Sequence, residues 1–332
     1  MSWGTQALNA SPMMDTRVAV KEFDLEALKV SSHQQQFLKD VQVLARLTHP
    51  NIVKFVGAST KYEDATNAPP FIVFELLHCT LYHALFVQQP CPLQDCGVTM
   101  RIACEVADAL QYLHAQRPRI VHHDVKPENV MLADSLQAKL IDFGLTATVD
   151  SITIGAASHP SNHTYTEHMP RTGLPHISSM AIYGRGTLGY VPPEIMAGNG
   201  TLGMHLELTE QHKVDVYAFG VLLWQLACKQ DPYVDMNEQD IAQAVNSGKP
   251  LPDCGAAISV RLQQLLDGCC ARDPSQRQEM SEVLVLLQAC AASDFACDLA
   301  PAHPADVIRV LSIDSRNSEV CQILIMLIFD GP

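Results

Sequence analysis

The stretch "VHHDVKPENV", residues 121–130, carries an aspartate, a lysine and an asparagine within six residues: Asp124, Lys126 and Asn129. A carboxylate can orient a hydroxyl group and accept its proton, a lysine can neutralise an anion, and an amide oxygen can bind a hard cation such as Mg²⁺. Two histidines, His122 and His123, stand immediately before them. By itself the stretch fits a catalytic loop, a metal site or a polar turn.

A metal site built on the histidines is the weakest of these interpretations. Adjacent side chains of an extended chain point in different directions, so His122 and His123 are poorly placed to share one ion. The other histidines do not stand at the i, i+4 spacing with a glutamate between them that helical zinc sites use. We therefore do not expect a zinc-dependent hydrolase.

The elements that must position these residues begin with a small sheet. In "RVAVKEF" (17–23) the β-branched residues Val18 and Val20 alternate with other residues, which predicts a strand that carries Lys21. Residues 31–47 place apolar residues at helical spacing after a serine N-cap, and Pro50 is expected to stop this helix. "NIVKFVGAS" and "PFIVFELL" predict two further strands. The first 80 residues or so thus indicate a sheet with one helix.

Beyond this sheet the apolar pattern becomes helical. Residues 94–116 carry one apolar stripe, and residues 213–229 are apolar on nearly every side, which predicts a buried helix. Residues 258–271 and 279–292 predict two amphipathic helices. Residues 147–183, rich in serine, threonine, histidine and glycine, predict a long mobile loop.

The composition narrows the class of protein. The 332-residue chain is 47% hydrophobic and 17% charged, which is typical of a globular protein. Its formal net charge of −14 argues against binding to nucleic acid or to an acidic membrane surface. The longest uncharged apolar run, "VCQILIMLIF" at 320–329, is shorter than the roughly 20 residues that span a bilayer. We therefore expect no membrane span, and the N-terminus has no apolar run typical of a secretory signal.

The eleven cysteines are scattered and form no C-x-x-C pair. Cys269 and Cys270 are adjacent, and Cys91 and Cys96 are five residues apart. This spacing argues against a disulfide framework and against a zinc knuckle. We expect most of the cysteines to be small buried hydrophobic residues, and we expect a reducing, cytoplasmic location.

Several motifs follow one another in a fixed order along the chain. They are "VAVK" at 18–21, "HHDVKPENVML" at 122–132, "DFG" at 142–144, "GTLGYVPPE" at 186–194, "DVYAFG" at 215–220 and "RDPSQR" at 272–277. Over residues 17–292 this order resembles the protein kinase family, and "HPNIVKFVG" and "TLYHAL" look most like its tyrosine-kinase-like group of serine/threonine kinases.

The resemblance implies an α+β, two-lobed protein kinase-like fold. A kinase domain would occupy residues 1–298, with a small, incomplete, β-rich N-lobe at 1–77 and a larger helical C-lobe at 78–298. Residues 299–332 would form a tail of unknown structure.

The resemblance also implies an enzyme, a protein serine/threonine kinase that transfers the γ-phosphate of Mg-ATP to protein hydroxyl groups. ATP and Mg²⁺ are the implied cofactors, and a protein is the implied substrate, while no oligomeric state is assigned. Phosphoryl transfer needs the triphosphate of ATP fixed in position, cations that neutralise developing charge, and a group that orients the attacking hydroxyl. The residues implied are the catalytic Asp124, Lys126 and Thr187, the nucleotide-binding Ala19, Lys21, Asp40, Glu75, Leu77 and Met131, and the metal-binding Asn129 and Asp142.

Four further residues are implied to support the site. Asp215 should brace the catalytic loop from within the buried helix. Glu194 and Arg277 should form a buried ion pair in the C-lobe. His122 should be a packing residue behind the catalytic loop.

Three features depart from the family pattern. No glycine occurs between Thr5 and Val56, so the glycine-rich loop ahead of the strand lysine is missing, which indicates a truncated N-terminus or a degenerate nucleotide site. Asp40 stands where the family has a glutamate that pairs with this lysine, and it is one methylene shorter. His123 replaces an arginine that binds an activation-loop phosphate, and because histidine is mostly neutral at pH 7 we expect weak dependence on phosphorylation. A pseudokinase or regulatory scaffold therefore remains the alternative function.

Overall fold

The computed structural model describes residues 17–23, 31–59, 70–143, 147–149, 188–197, 210–247, 251–252, 258–294 and 323–324. The chain divides into two compact units, neither of which is a single continuous segment. The N-terminal unit comprises Met1–Arg46, Lys54–Leu76 and Ser312–Pro332. The C-terminal unit comprises Leu47–Val53 and Leu77–Leu311.

The N-terminal unit is built on an antiparallel sheet with the strand order β2-β3-β1-β9. Its strands are β1 (Val18–Glu22), β2 (Phe55–Ser59), β3 (Phe71–Glu75) and β9 (Ile323–Leu324). β1 pairs with β3 along its whole length, and Lys21 lies opposite Ile72 in this register. The three strands predicted from the alternating apolar pattern are confirmed.

One helix, α1 (Ser31–Leu44), belongs to the same unit. Phe37 and Leu44 stand two turns apart and are both buried, as expected for the apolar face of a helix. The ring of Phe23, just after β1, lies 4.7 Å from the ring of Phe37 in an edge-to-face contact. This contact packs the chain that follows β1 against α1. The helix ends at Leu44, several residues before Pro50.

The C-terminal unit is mainly helical. Its α-helices among the described residues are α2 (Cys96–Ala115), α3 (Pro193–Ala197), α4 (Lys213–Cys228), α5 (Glu238–Asn246), α6 (Val260–Cys269) and α7 (Met280–Asp294). α4 is buried from Lys213 to Leu226, which confirms the prediction of a buried central helix. α4 packs against α6 so closely that a Cβ atom at Gly220 would lie 2.6 Å from the Sγ atom of Cys270. Only glycine fits this helix contact without rearrangement.

Short strands join the helices. β4 (Cys79–Thr80), β6 (Val130–Leu132) and β7 (Ala138–Leu140) form one antiparallel sheet, and β5 (Arg119–Val121) pairs with β8 (Ala147–Val149). The prediction of a loop from residue 147 was therefore wrong at its beginning. The reason is that a three-residue strand beside a long polar stretch has too weak a sequence pattern to be predicted without knowing that it pairs with β5.

The segment Leu47–Val53 belongs to the C-terminal unit although the chain on both sides of it does not. Asn51 donates its side-chain amide to the Ala138 carbonyl at 2.9 Å. The Leu140 backbone N–H donates to Asn51 at 2.8 Å, and the Val53 N–H donates to Leu140 at 3.0 Å. The segment thus lies beside β7 and forms a short parallel bridge with it, Ile52 opposite Leu140.

The cysteines and the membrane prediction can be checked on the described residues. Cys79, Cys104, Cys269 and Cys290 are buried, as expected for small hydrophobic residues. Cys228 departs from this expectation because it is disulfide-bonded, which spacing along the chain does not reveal. In this part of the chain no helix combines the length and the apolar character needed to cross a membrane.

Candidate active site

The predicted catalytic loop lies between two strands, β5 and β6, that fix both of its ends. Its last residues, Pro127–Asn129, form one turn of 3₁₀ helix, with the proline at the first position, where no N–H group is needed. The loop brings Asp124, Lys126 and Asn129 together. The Lys126 ammonium lies 2.9 Å from Asp124 Oδ2, and the Asn129 amide donates to the same oxygen at 2.6 Å.

This arrangement fixes the Asp124 carboxylate in one orientation. The Asn129 amide also donates to the Asp124 backbone carbonyl at 2.8 Å, so the asparagine clamps both the side chain and the main chain. Both of these side-chain contacts fall on Oδ2, and a carboxylate can accept at both of its oxygens. Oδ1 is therefore the oxygen suited to accept a hydrogen bond from an incoming hydroxyl group.

Asp215, from the buried helix α4, holds the beginning of the catalytic loop. Its carboxylate accepts the backbone N–H groups of His122 and His123, both at 2.8 Å, and the ring N–H of His114 at 2.9 Å. Burial alone would raise the pKa of Asp215, but the His114 hydrogen bond and the neighbouring histidines outweigh it and lower this pKa to about 2. The bracing role predicted for Asp215 is confirmed.

His123 occupies an unusual place in the loop. Its backbone has a φ of 67°, in the left-handed region that a non-glycine residue adopts at a cost. The hydrogen bond from its N–H group to Asp215 helps to hold this conformation. Burial lowers the pKa of the imidazole to about 4, and both ring nitrogens are buried without a hydrogen-bond partner among the described residues. His123 is therefore neutral at pH 7, as the sequence indicated.

The residues before Asp142 connect it to the catalytic loop. The Ile141 N–H donates to the Asn129 carbonyl at 2.9 Å, and the His122 ring N–H donates to the Ile141 carbonyl at 2.9 Å. His122 is fully buried, and its ring lies 5.1 Å from that of Phe143. These contacts confirm His122 as a packing residue, and they link the backbone beside Asp142 to the loop that carries Asn129.

The N-terminal unit carries four of the predicted nucleotide-binding residues: Ala19, Lys21, Asp40 and Glu75. Ala19 and Lys21 lie on β1 two residues apart, so their side chains share one face of the sheet. The Lys21 ammonium lies 5.8 Å from the centre of the Phe23 ring. Glu75 ends β3, and its carboxylate accepts the Lys54 backbone N–H at 2.7 Å. Asp40 lies on α1, three residues after Phe37.

The remaining predicted residues are divided between the C-terminal unit and the undescribed part of the chain. Leu77 is buried and is the first residue of the C-terminal unit after β3. Met131 lies on β6, opposite Thr80 on one side and Lys139 on the other. Thr187 lies outside the described residues. The adenine-binding roles of Leu77 and Met131 stay predictions.

The predicted ion pair of the C-terminal unit is confirmed. Arg277 donates to both carboxylate oxygens of Glu194, each at 2.7 Å, and its side chain is fully buried. It also donates to the carbonyls of Ala271 at 2.8 Å and Lys213 at 3.0 Å. The pair joins α3 to the ends of α4 and α6.

Two residues near the site were missed from the sequence. His114, in the last turn of α2, bonds Asp215 across 101 residues of chain, and a single helical histidine gives no signal of such a contact. Glu128, inside the catalytic loop, has one buried oxygen without a partner among the described residues, and burial raises its pKa. Its place between Lys126 and Asn129 was the only available signal.

Comparison with known proteins agrees with this geometry. Residues 10–286 match the protein kinase domain family. The chain is 31% identical over 275 residues to "Probable serine/threonine-protein kinase drkD" of Dictyostelium discoideum, covering 82% of this chain and 18% of the relative. It is 28% identical to "Serine/threonine-protein kinase CTR1" of Arabidopsis thaliana, covering 82% and 28%, and 28% identical to "Serine/threonine/tyrosine-protein kinase HT1" of the same plant, covering 77% and 55%. The chain thus spans only a part of these relatives, and it belongs to the protein kinase domain family.

Proposed function

We propose that the protein is an ATP-dependent serine/threonine kinase that transfers the γ-phosphate of Mg-ATP to hydroxyl groups of a protein substrate. The observation that carries this proposal is the Asp124 carboxylate, fixed at Oδ2 by Lys126 and Asn129 on a loop that Asp215 braces. Such a carboxylate can orient an attacking hydroxyl, which is the main task left to the protein in phosphoryl transfer.

The neighbouring residues suit the other parts of the reaction. Lys126 is a point charge beside Asp124 and can neutralise charge that develops on the transferred phosphoryl group. Asn129 uses its amide nitrogen to bind Asp124, which leaves its carbonyl oxygen to act as a ligand. With the Asp142 carboxylate it provides the hard oxygen donors that Mg²⁺ prefers, and Mg²⁺ would supply charge neutralisation on the phosphates.

The six predicted nucleotide-binding residues would share the binding of ATP. Lys21 on β1 would bind the α- and β-phosphates, and Asp40 would orient this lysine through a looser pair than a glutamate makes. The resemblance implies adenine contacts for Ala19, for Met131 and for the backbone at Glu75 and Leu77. The serine/threonine preference rests on Lys126, on the predicted Thr187 and on the similarity to serine/threonine-protein kinases.

A nucleotide-binding scaffold without phosphotransfer is the second candidate. It is favoured by Asp40, by the absence of glycine between Thr5 and Val56, and by the neutral His123. Backbone N–H groups of a glycine-rich loop bind phosphates, and residues 5–56 contain no glycine from which such a loop could be built.

The test is transfer of radiolabelled phosphate from Mg-ATP to a generic basic protein. The wild-type chain is compared with Asp124→Asn, which keeps the shape and removes the negative acceptor, and with Asp142→Ala. Asp134→Asn is the matched control, because Asp134 belongs to the same unit and its side chain is 84% exposed.

We expect the control to label the substrate like the wild type, and both site variants to lose at least about a hundredfold in rate. Equal labelling by Asp124→Asn and the control would refute the assignment. A thermal shift on adding Mg-ATP, with no labelling by any version, would favour the scaffold.

A further inference from the structure

The sheet of the N-terminal unit receives one strand from the far end of the chain. β1 pairs on one side with β3, from Val18 opposite Glu75 to Glu22 opposite Phe71. On its other side β1 pairs antiparallel with β9, with Val20 opposite Leu324 and Lys21 opposite Ile323. Alternate residues of an antiparallel strand direct their N–H and C=O groups to the same side. With β3 as its only partner, β1 would therefore present a row of unpaired backbone groups.

The composition of the C-terminal run suits it to such an edge. Residues 320–329, "VCQILIMLIF", contain no charged residue, glycine or proline, and β-branched residues stand at 320, 323, 325 and 328. Segments of this kind have high strand propensity and are aggregation hazards when exposed. Pairing through Ile323 and Leu324 covers this edge of β1 at Val20 and Lys21.

We propose that the outer edge of β1 is a strand-addition surface, and that its occupant is the chain's own C-terminal apolar run anchored at Ile323 and Leu324. In strand addition, main-chain hydrogen bonds supply the affinity and the edge strand supplies the register. Because Lys21 lies on β1, the occupant also holds the backbone that carries this lysine. The proposal is independent of whether the protein transfers phosphate.

The register gives a direct test by paired cysteines in the full-length chain. Residues directly opposite in an antiparallel pair have Cβ atoms about 4.5–5.5 Å apart, close to what a disulfide needs, whereas neighbours along a strand face opposite sides. The test variant is therefore Val20→Cys with Leu324→Cys. The matched control is Val20→Cys with Ile323→Cys, which moves the second cysteine by one residue.

After mild oxidation, peptide mass spectrometry would measure the link between positions 20 and 324, and a non-reducing gel would show whether it lies within one chain. We expect an intramolecular link at least about fivefold more abundant than in the control. Equal linking in both variants, or none in either, would overturn the register. A link found only in dimers would overturn the choice of occupant and assign the edge to a second copy of the chain.

Backbone hydrogen exchange provides a second measurement that does not depend on disulfide geometry. Ile323→Pro removes a backbone donor and disrupts strand pairing, whereas Ile323→Thr keeps a β-branched residue and serves as the control. We expect amide exchange in the β1 peptide to rise about tenfold or more in Ile323→Pro alone. Unchanged exchange in α4 would show that the C-terminal unit remains folded. Unchanged exchange in β1 would refute the proposal.

Discussion

The buried ion pair between Arg277 and Glu194 allows a stability prediction to be worked out in detail. The Arg277 side chain is fully buried and that of Glu194 is 11% exposed, so water hardly solvates or screens the two charges. Glu194→Ala would leave a buried guanidinium group without its counter-charge. Removing one partner of a buried pair costs about 3–5 kcal/mol in folding free energy.

The surroundings of Arg277 place the expected cost near the lower end of this range. The carbonyls of Ala271 and Lys213 still accept hydrogen bonds from the guanidinium group, and the Tyr217 ring lies 5.1 Å from it. We therefore expect a loss of about 3 kcal/mol. For a unit of about 150–250 residues, this lowers the melting temperature by about 6–12 °C.

Thermal unfolding followed by circular dichroism would measure this shift. Glu238→Ala is the matched control, since Glu238 is an exposed glutamate at the start of a helix in the same unit and its loss should cost about 2 °C or less. Glu194→Gln keeps the shape and part of the hydrogen bonding, so it should fall between the two. If Glu194→Ala unfolded within about 2 °C of the control, the reasoning on the buried charge would be wrong.

Three further predictions concern the C-terminal unit. Between pH 6.5 and about 4 the unfolded chain binds a proton at His123 that the folded protein does not, so the free energy of unfolding should fall as the pH drops. In a plot of melting temperature against pH, His123→Gln should reduce the slope over this range, and an unchanged slope would contradict the lowered pKa of His123. Asp215→Asn leaves one loop N–H group without an acceptor, so it should cost about 1–3 kcal/mol in denaturant unfolding and reduce phosphate transfer at least about tenfold, whereas wild-type stability and transfer would exclude the bracing role. Gly220→Ala should destabilise by about 1–3 kcal/mol in the same assay, while Gly57→Ala, which meets nothing within 4 Å, should not, and equal effects would remove the argument from close helix packing.

The close arrangement of Asp124, Lys126 and Asn129 could be predicted from the sequence because its contacts are local, while the catalytic role of these residues stays a prediction. Asp124, Lys126 and Asn129 stand within six residues, and any turn that satisfies their charges brings them close together. The buried helix α4 was equally readable, since a helix that is apolar on every side has to lie in the interior. The kinase fold followed from the order of the motifs, and it is confirmed.

The contacts that escaped prediction join distant parts of the chain. The hydrogen bond of His114 to Asp215 depends on how α2 and α4 pack, and no local pattern contains that information. β8 and β9 are short strands whose formation depends on partners far away in sequence. The burial that keeps His123 neutral is likewise a property of its surroundings, although the residue type alone already suggested it.

The assignment of Leu47–Val53 to the C-terminal unit has a consequence for dissecting the protein and for its synthesis. A fragment that began at Leu77 would lack Asn51 and its neighbours, so β7 would lose the hydrogen bonds that they form with Ala138 and Leu140. During synthesis this segment leaves the ribosome long before β7 does, so its hydrogen bonds to β7 cannot form until the chain between them has been made. The C-terminal unit therefore cannot complete its sheet from its own continuous stretch of chain, and fragments for expression should retain the residues from 47 onward.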